Sequence, residues 1–575
     1  MVRLRLPRYF TRFLLRLKLR KKKRIMIELQ IASGSTPSDW EKTVDRFIDK
    51  IKKANIQFER DKGYKPVLAP KRPRAPRRII IRGIIRETDY GKLSQHGAHR
   101  VWSDPVLLPH SNPCNQITGA CGSVCHTAQG AVGTVEMAAS QIGAERLWQQ
   151  GVTGKLFQTR SGQRVETGNI IIGVADTGVK NCRIGDRMVR KTGAPAHDPT
   201  DLNDYIHVLG WPPNPQDFPG FLPPGHPYFP DNHGTKTAFD ALKICPDAKI
   251  LDIAVGQTMD SDTGRRGLTA SELVGVKEWI LSLPDGQKPH VLTFCSGMAR
   301  YCLDPEYAVK PDHLFTETIV ELIEAGILVC FSAGNCGQLT NQPDCKSTDC
   351  YVCNDPAIPP GAAGCVGPDK SIWGANAHPR VISVGAATLD DGRTTSKWIG
   401  LSSQGRTRFQ DVRGTLESDL NREKPDLCAP SNFKGEGSKP SDEGTSTAGA
   451  VMGGVLGLLK CTAINHDIPL EQDAARALLR NTASPLCEQQ VAQQQGRPHS
   501  WSPQVGMGMV SIWDAANDLL NSQSPPVNWQ QDSPGQSWTP QGNICPRTCR
   551  CDILLFILII IMMIILIIAA ILFGN

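Results

Sequence analysis

Apolar residues along this chain recur in two rhythms. In the first hundred residues the runs are short and mixed with charge. Ile25-Met26-Ile27-Glu28-Leu29-Gln30-Ile31 reads as a strand, and Ser38-Asp39-Trp40-Glu41 opens a helix with capping-box spacing. Val44, Phe47, Ile48 and Ile51 follow at the helical period. A strand at Ile56-Gln57-Phe58 and another over 78–85 come next, separated by a Pro/Arg-rich bridge. A short helix over 90–95 and a strand at Arg100-Val101-Trp102 complete the order β-α-β-β-α-β. That order predicts a small ferredoxin-like α+β domain over residues 26–108.

Beyond a linker at 109–134, which carries Cys114, Cys121 and Cys125 among Pro, Gly and Ser, the rhythm changes. A helix containing Met137, Ile142, Leu147 and Trp148 leads to Ile170-Ile171-Ile172-Gly173-Val174-Ala175, which ends in Asp176-Thr177-Gly178. A continuous apolar run of this kind is a central parallel strand buried on both faces, with Asp176 at its carboxyl edge. Residues 249–255, 290–295, 327–332 and 380–384 are strand-like, and 269–283 and 311–325 are helix-like between them. The alternation predicts an α/β fold with a doubly wound, mostly parallel sheet over 135–524. Residues 210–230 and 336–372 read as surface insertions.

Ser446 to Leu459 is an uncharged run, too short for a bilayer but suited to a buried helix. Residues 525–552 read as a polar linker. Ile553–Phe573 is apolar throughout and predicts a transmembrane helix.

The net charge of +8 is uneven: residues 1–24 hold eleven Lys/Arg and no acid, leaving 8 − 11 = −3 for the rest. This excludes a general nucleic-acid binder. The arm over residues 1–25 lacks the apolar centre of a secretory signal, its longest apolar run being Phe13-Leu14-Leu15. It reads either as a basic membrane-surface segment or as an extension ahead of Met26. Nineteen cysteines favour an oxidising compartment or a metal site. Cys336, Cys345, Cys350, Cys353 and Cys365 are too irregularly spaced for zinc, so disulfides or thiols are expected there.

Four polar stretches supply chemistry. Asp176 ends a strand, Asp231-Asn232-His233-Gly234-Thr235 precedes a helix-like segment over 236–243, Asn335 sits at the tip of Ser332-Ala333-Gly334-Asn335, and Gly444-Thr445-Ser446 opens the apolar helix. A serine hydroxyl needs a histidine to take its proton, and the histidine needs a carboxylate to fix its tautomer. A side-chain amide can hold the resulting oxyanion, as can the N–H groups at a helix start.

These motifs, in the order Asp–His–Asn–Ser, resemble those of subtilisin-like serine proteases (subtilases). Lys424-Pro425-Asp426-Leu427-Cys428-Ala429-Pro430 and Gly506-Met507-Gly508-Met509-Val510 resemble two further stretches of that family. The resemblance covers about residues 135–520 and implies a serine endopeptidase acting on proteins or peptides. It implies that Asp176 orients, His233 is the base, Ser446 attacks, Asn335 holds the oxyanion, and Ser296-Gly297 lines the substrate. No cofactor or catalytic metal is implied; structural calcium is common in the family but no acidic cluster places it here.

The resemblance also implies that residues 26–108 are an inhibitory prodomain of a zymogen. Thr447-Ala448-Gly449-Ala450 departs from the family's Met-Ala-Ala-Pro, which leaves substrate preference open. Two rival readings fit parts of the pattern: a subtilase fold whose catalysis has lapsed, and an aspartic protease built on Asp176 and Asp262-Thr263-Gly264. The second copy lacks a strand leading into it. A C-terminal span, with Arg547 and Arg550 before it, predicts a single-pass tail anchor with the protease on the cytoplasmic side.

Overall fold

The computed structural model describes residues 22–72, 75–109, 131–160, 163–179, 233–255, 258–259, 266–298, 304–337, 371–390, 396–407, 422–435, 441–494 and 498–521. The basic arm up to residue 21, Asp231 and Asn232, Asp262-Thr263-Gly264 and the 210–230 insertion lie outside them. So do Cys345, Cys350, Cys353, Cys365 and the apolar segment 553–573.

The N-terminal unit is built on β1 (Lys22–Gln30), α1 (Pro37–Lys53), β2 (Phe58–Arg60), β3 (Val67–Leu68), β4 (Arg78–Arg86), a 3₁₀ turn (Glu87–His96) and β5 (Arg100–Ser103). The sheet order is β2-β4-β1-β5, antiparallel throughout, with β3 also on β4. Strand β1 begins at Lys22, so the end of the basic arm joins the sheet, because Lys22–Ile25 pair with Gly83–Arg86 and Ile25 is buried. The helix cap is Thr36, not Ser38. Its hydroxyl accepts from the Asp39 N–H, the Asp39 carboxylate accepts from the Thr36 N–H, and Pro37 fills the first helical position.

A further strand, β6 (Val106–Pro109), leaves this unit and enters the next. There, β7 (Lys155–Arg160) and β8 (Gln163–Asn169) form a hairpin ahead of β9 (Ile171–Asp176), α2 (His233–Ile244) and β10 (Lys249–Ala254). Two short strands, β11 (Thr258–Met259) and β12 (Arg266–Thr269), precede α3 (Ala270–Ser282), β13 (Val291–Phe294) and β14 (Ser296–Gly297). The chain continues through α4 (Leu314–Glu324), β15 (Leu328–Ser332), β16 (Ile382–Ala387), β17 (Leu427–Pro430), α5 (Gly444–Asn465), α6 (Gln472–Asn481) and α7 (Ile512–Asn521). The segment from Met137 to Trp148 is two helices, broken at Gly143, whose φ is +82°.

The central sheet runs β10-β9-β13-β15-β16-β17, every pair parallel. One face packs against α2 and α5, the other against α3 and α4. Strand order reverses between β9 and β13, which opens a crevice at their carboxyl ends. Among the described residues one helix, Gly444–Asn465, is long and apolar enough to cross a membrane; 89% of its most apolar window is buried in the core.

Candidate active site

Each polar group of interest ends an element at this crevice. Asp176 closes β9, His233 opens α2, Asn335 follows β15, and Ser446 lies in the first turn of α5. Helix α5 starts at Gly444, two residues earlier than the apolar run suggests. Gly444 has φ +81°, and a Cβ there would lie 2.9 Å from the Asn335 Nδ2, so the position admits only glycine. Ser446 is therefore the third helical residue, still among the N–H groups that lack an intrahelical acceptor.

His233 joins the other two. Its Nδ1 lies 2.7 and 2.9 Å from the Asp176 oxygens, and its Nε2 lies 3.0 Å from the Ser446 Oγ. An ionised carboxylate can only accept, so Nδ1 carries the hydrogen and Nε2 is left to accept from the serine. Asp176 also accepts from the Thr177 N–H at 2.6 Å and the Thr237 hydroxyl at 3.1 Å. Thr177 in turn accepts from the Gly234 N–H at 3.1 Å. A Cβ on Gly234 would stand 2.5 Å from the Gly178 carbonyl, which is why the helix can start this close to the turn. Lys236 pairs with Asp442 and so ties α2 to the loop before Ser446.

Asn335 is 2% exposed. Its Oδ1 accepts from both the N–H and the hydroxyl of Thr445, each at 2.9 Å, which orients the amide nitrogen toward the start of α5. Thr445 accepts in turn from the Gly334 N–H. Ser296 and Gly297 form β14, and Asn376 donates to the carbonyls of Ser296 and Ser332 at 3.1 and 2.8 Å. Cys295 donates to the Ser446 carbonyl at 3.4 Å; burial pushes its thiol well up, so it is protonated packing beneath the helix. Asp426, in the segment before β17, accepts from Lys424, Arg476, Arg480 and the Ser383 N–H.

Thr177, Thr237 and Asn376 were not anticipated from sequence. Thr237 stands four residues after His233, one turn along the same helix face, and that spacing could have flagged it. Nothing local marks Asn376.

The groove beside this constellation is filled by the chain itself. Strand β6 lies between β12 and β14, antiparallel to both, pairing Val106 with Thr269, Leu107 with Leu268, Leu108 with Gly297 and Pro109 with Ser296. Gly267 has no room for a side chain, since a Cβ would meet the Leu107 carbonyl at 2.3 Å. The N-terminal unit is held by further bonds: Asp104 accepts from the Ser271 N–H and hydroxyl at 2.9 and 2.8 Å, Ser103 donates to Asp304, and Arg72 pairs with Glu317.

Cys336 is disulfide-bonded, and Cys245, Cys295, Cys330 and Cys461 are buried thiols. Among the described residues no group of three or more His, Cys, Asp or Glu side chains could hold a metal ion.

No curated protein matches the chain. Solved structures similar to it include the prenylagaramide maturation protease PagA, at 17% identity over 66% of this chain and 98% of that one, with a TM-score of 0.37. A lanthipeptide protease is 16% identical over 69% and 99%, with a TM-score of 0.37. The epidermin leader peptide processing serine protease (EpiP) from Staphylococcus aureus is 11% identical over 88% and 100%, with a TM-score of 0.41. The sequence profile of the subtilase family matches residues 167–508, more than half of the chain and the whole span from β9 through the segment before α7. The chain belongs to the subtilase family.

Proposed function

We propose that this subtilase is a serine endopeptidase in which Asp176, His233 and Ser446 act as the catalytic triad. The observation that carries this reading is the unbroken chain from the Asp176 carboxylate through both ring nitrogens of His233 to the Ser446 hydroxyl. In this mechanism Nε2 takes the hydroxyl proton as Oγ attacks the peptide carbonyl, and Asp176 stabilises the imidazolium. The Asn335 amide and the N–H groups at the start of α5 hold the oxyanion. The imidazolium then protonates the leaving amine, and water, deprotonated by the same ring, releases the acyl group.

Substrate is read by β-addition at β14 and β12, with Ser296 and Gly297 offering backbone to an extended peptide. The sheet order of the N-terminal unit and the lodging of β6 in that groove support a ferredoxin-like prodomain that inhibits until cut. Residues 553–573 are proposed as a membrane anchor. The sidedness test is an epitope before Met26 exposed to protease added outside intact cells; its removal there, with a cytoplasmic marker intact, overturns the cytoplasmic placement.

Labelling with a serine-directed fluorophosphonate tests the chemistry. Wild-type protein, once processed, is expected to take up the probe at Ser446 and Ser446→Ala to take up none. Equal labelling of both, or peptidase activity surviving in Ser446→Ala, refutes the reading. A wild-type chain that folds, is cut and still neither labels nor hydrolyses peptides would mark a lapsed enzyme.

A further inference from the structure

Strand β10 carries a residue that does not suit its place. Asp252 sits in the central sheet on the face of Ile250, Val174 and Val179, all part of the apolar core. It is 5% exposed. An aliphatic side chain would fit there, and a carboxyl in such surroundings destabilises unless it is used. One of its oxygens is used: Oδ2 accepts from the Val179 N–H at 3.1 Å, three residues beyond Asp176 on the same turn. The other, Oδ1, is buried without a hydrogen-bond partner among the described residues.

The register sets Asp252 beside Val174 and Ala254 beside Asp176. Paired residues of parallel strands point to the same face, so the two carboxyls stand on that face one step apart.

Resting on the triad reading, we propose that Asp252 is a positioning residue of this site: it holds the turn bearing Asp176, and its charge state sets the pH range over which His233 works as a base.

Burial pushes the Asp252 carboxyl up to about 7 against the pull of the Val179 N–H, and the charge on Asp176 adds to the rise. Among the described residues Asp176 is the one charge acting on it. Helix α2, packed over β9 and β10, brings His233 through its bond to Asp176. Its Lys236 and Lys243 are paired with Asp442 and Glu136, and its Asp240 lies toward Asp442 beside Gly435.

When Asp252 is neutral a single negative charge backs the imidazole; when it ionises there are two. The second charge favours the imidazolium, so His233 keeps its proton to higher pH and the acid limb of kcat/KM lies higher.

The experiment follows kcat/KM for a peptide from about pH 5 to 10 in processed wild-type protein and in Asp252→Asn, Asp252→Thr and Asp252→Val processed to the same mass. Asn and Thr are neutral and still offer an oxygen to Val179. For both, the acid limb is expected to move down by about half to one pH unit, with plateau kcat within about threefold of wild type. Val offers no acceptor, and its kcat is expected to fall about tenfold with KM unchanged.

A limb that stays within about 0.2 unit of wild type in whichever neutral variant folds refutes the electrostatic role. Wild-type kcat in Asp252→Val refutes the positioning role. Ser446→Ala is run alongside. If it remains active, the triad reading falls and this inference with it; if it is dead, an unmoved limb counts against Asp252 alone.

Discussion

Leu107→Ala placed in the Ser446→Ala chain separates the occupant of the groove from the chemistry beside it. Leu107 is 0% exposed and belongs to the apolar cluster containing Leu268, Trp102 and Met298. The ladder that holds β6 is short, two residue pairs on each side, and Pro109 has no N–H to contribute. The buried side chain is therefore the main anchor. Truncating a buried leucine costs about 2–5 kcal/mol, and at about 3 kcal/mol the strand's hold on the groove weakens roughly 100-fold.

An external peptide must displace β6 before it can bind, so its apparent affinity rises as that hold weakens. We expect an acetylated, fluorescent Val-Leu-Leu-Pro peptide to bind Ser446→Ala weakly, and the double variant at least about tenfold more tightly. Fluorescence anisotropy reads the difference. Thermal unfolding of both chains confirms that the N-terminal unit stays folded and docked through Asp104, Ser103 and Arg72. Equal peptide affinity in two equally folded chains would refute competition between β6 and substrate.

Asn335→Ala is expected to lower kcat about 100- to 1,000-fold with KM nearly unchanged, since its amide serves the oxyanion and not the ground state; steady-state kinetics decide, and a KM effect alone would remove it from that role. Wild-type protein is expected to be cut between about residues 104 and 137 and Ser446→Ala to stay whole, read by intact mass; an active, uncut wild type would make the N-terminal unit a permanent domain. His290 gives a pH test. It is half-buried, its Nδ1 accepts from the Ile171 N–H, and loss of solvent, aided by Lys460, lowers its pKa to about 4. The unfolded chain takes up that proton first as pH falls. Stability is thus whole above about 6.5 and declines toward pH 4 by up to about 3 kcal/mol, a slope that His290→Asn is expected to reduce in denaturant titrations.

What the sequence made legible follows from how locally each feature is encoded. Strand β9 announces itself because a strand buried on both faces must be apolar at every position, and Asp176 is where that stops. Helices α3 and α4 lie within three residues of the helix-like segments 269–283 and 311–325 at each end, for a similar reason. Strand β6 was not seen. Four residues ending in proline carry no strand signal, and Val106–Pro109 becomes a strand only because β12 and β14, more than 150 residues later, supply edges on both sides. The hairpin β7–β8 was missed because the face of Gln163–Thr167 is exposed and polar, without the alternation that marks a half-buried strand. Within the site, Asp176, His233, Asn335 and Ser446 each sit in a recognisable local motif. Asn376 and Asp252 do not, since what matters about each is which distant backbone group it reaches.

Apolarity alone also misleads about membranes, and the two most apolar stretches of the chain differ in an informative way. Helix α5 passes a test of length and hydropathy, yet it is a core helix. Its glycines explain why. A Cβ on Gly454 would stand 2.6 Å from both the Ala241 carbonyl and the Ile244 Cβ, and one on Gly453 would stand 3.2 Å from Thr293. The helix is thus bare where α2 and β13 press closest, and that contact brings Ser446 within reach of His233. Segment 553–573 has no glycine and no polar residue in its twenty-one positions, which are Ile, Leu, Met, Phe and two alanines, Ala569 and Ala570. A helix apolar all round and without glycine matches hydrocarbon on every side. The difference in pattern, more than the hydropathy, is what separates the proposed membrane segment from the core helix that carries Ser446.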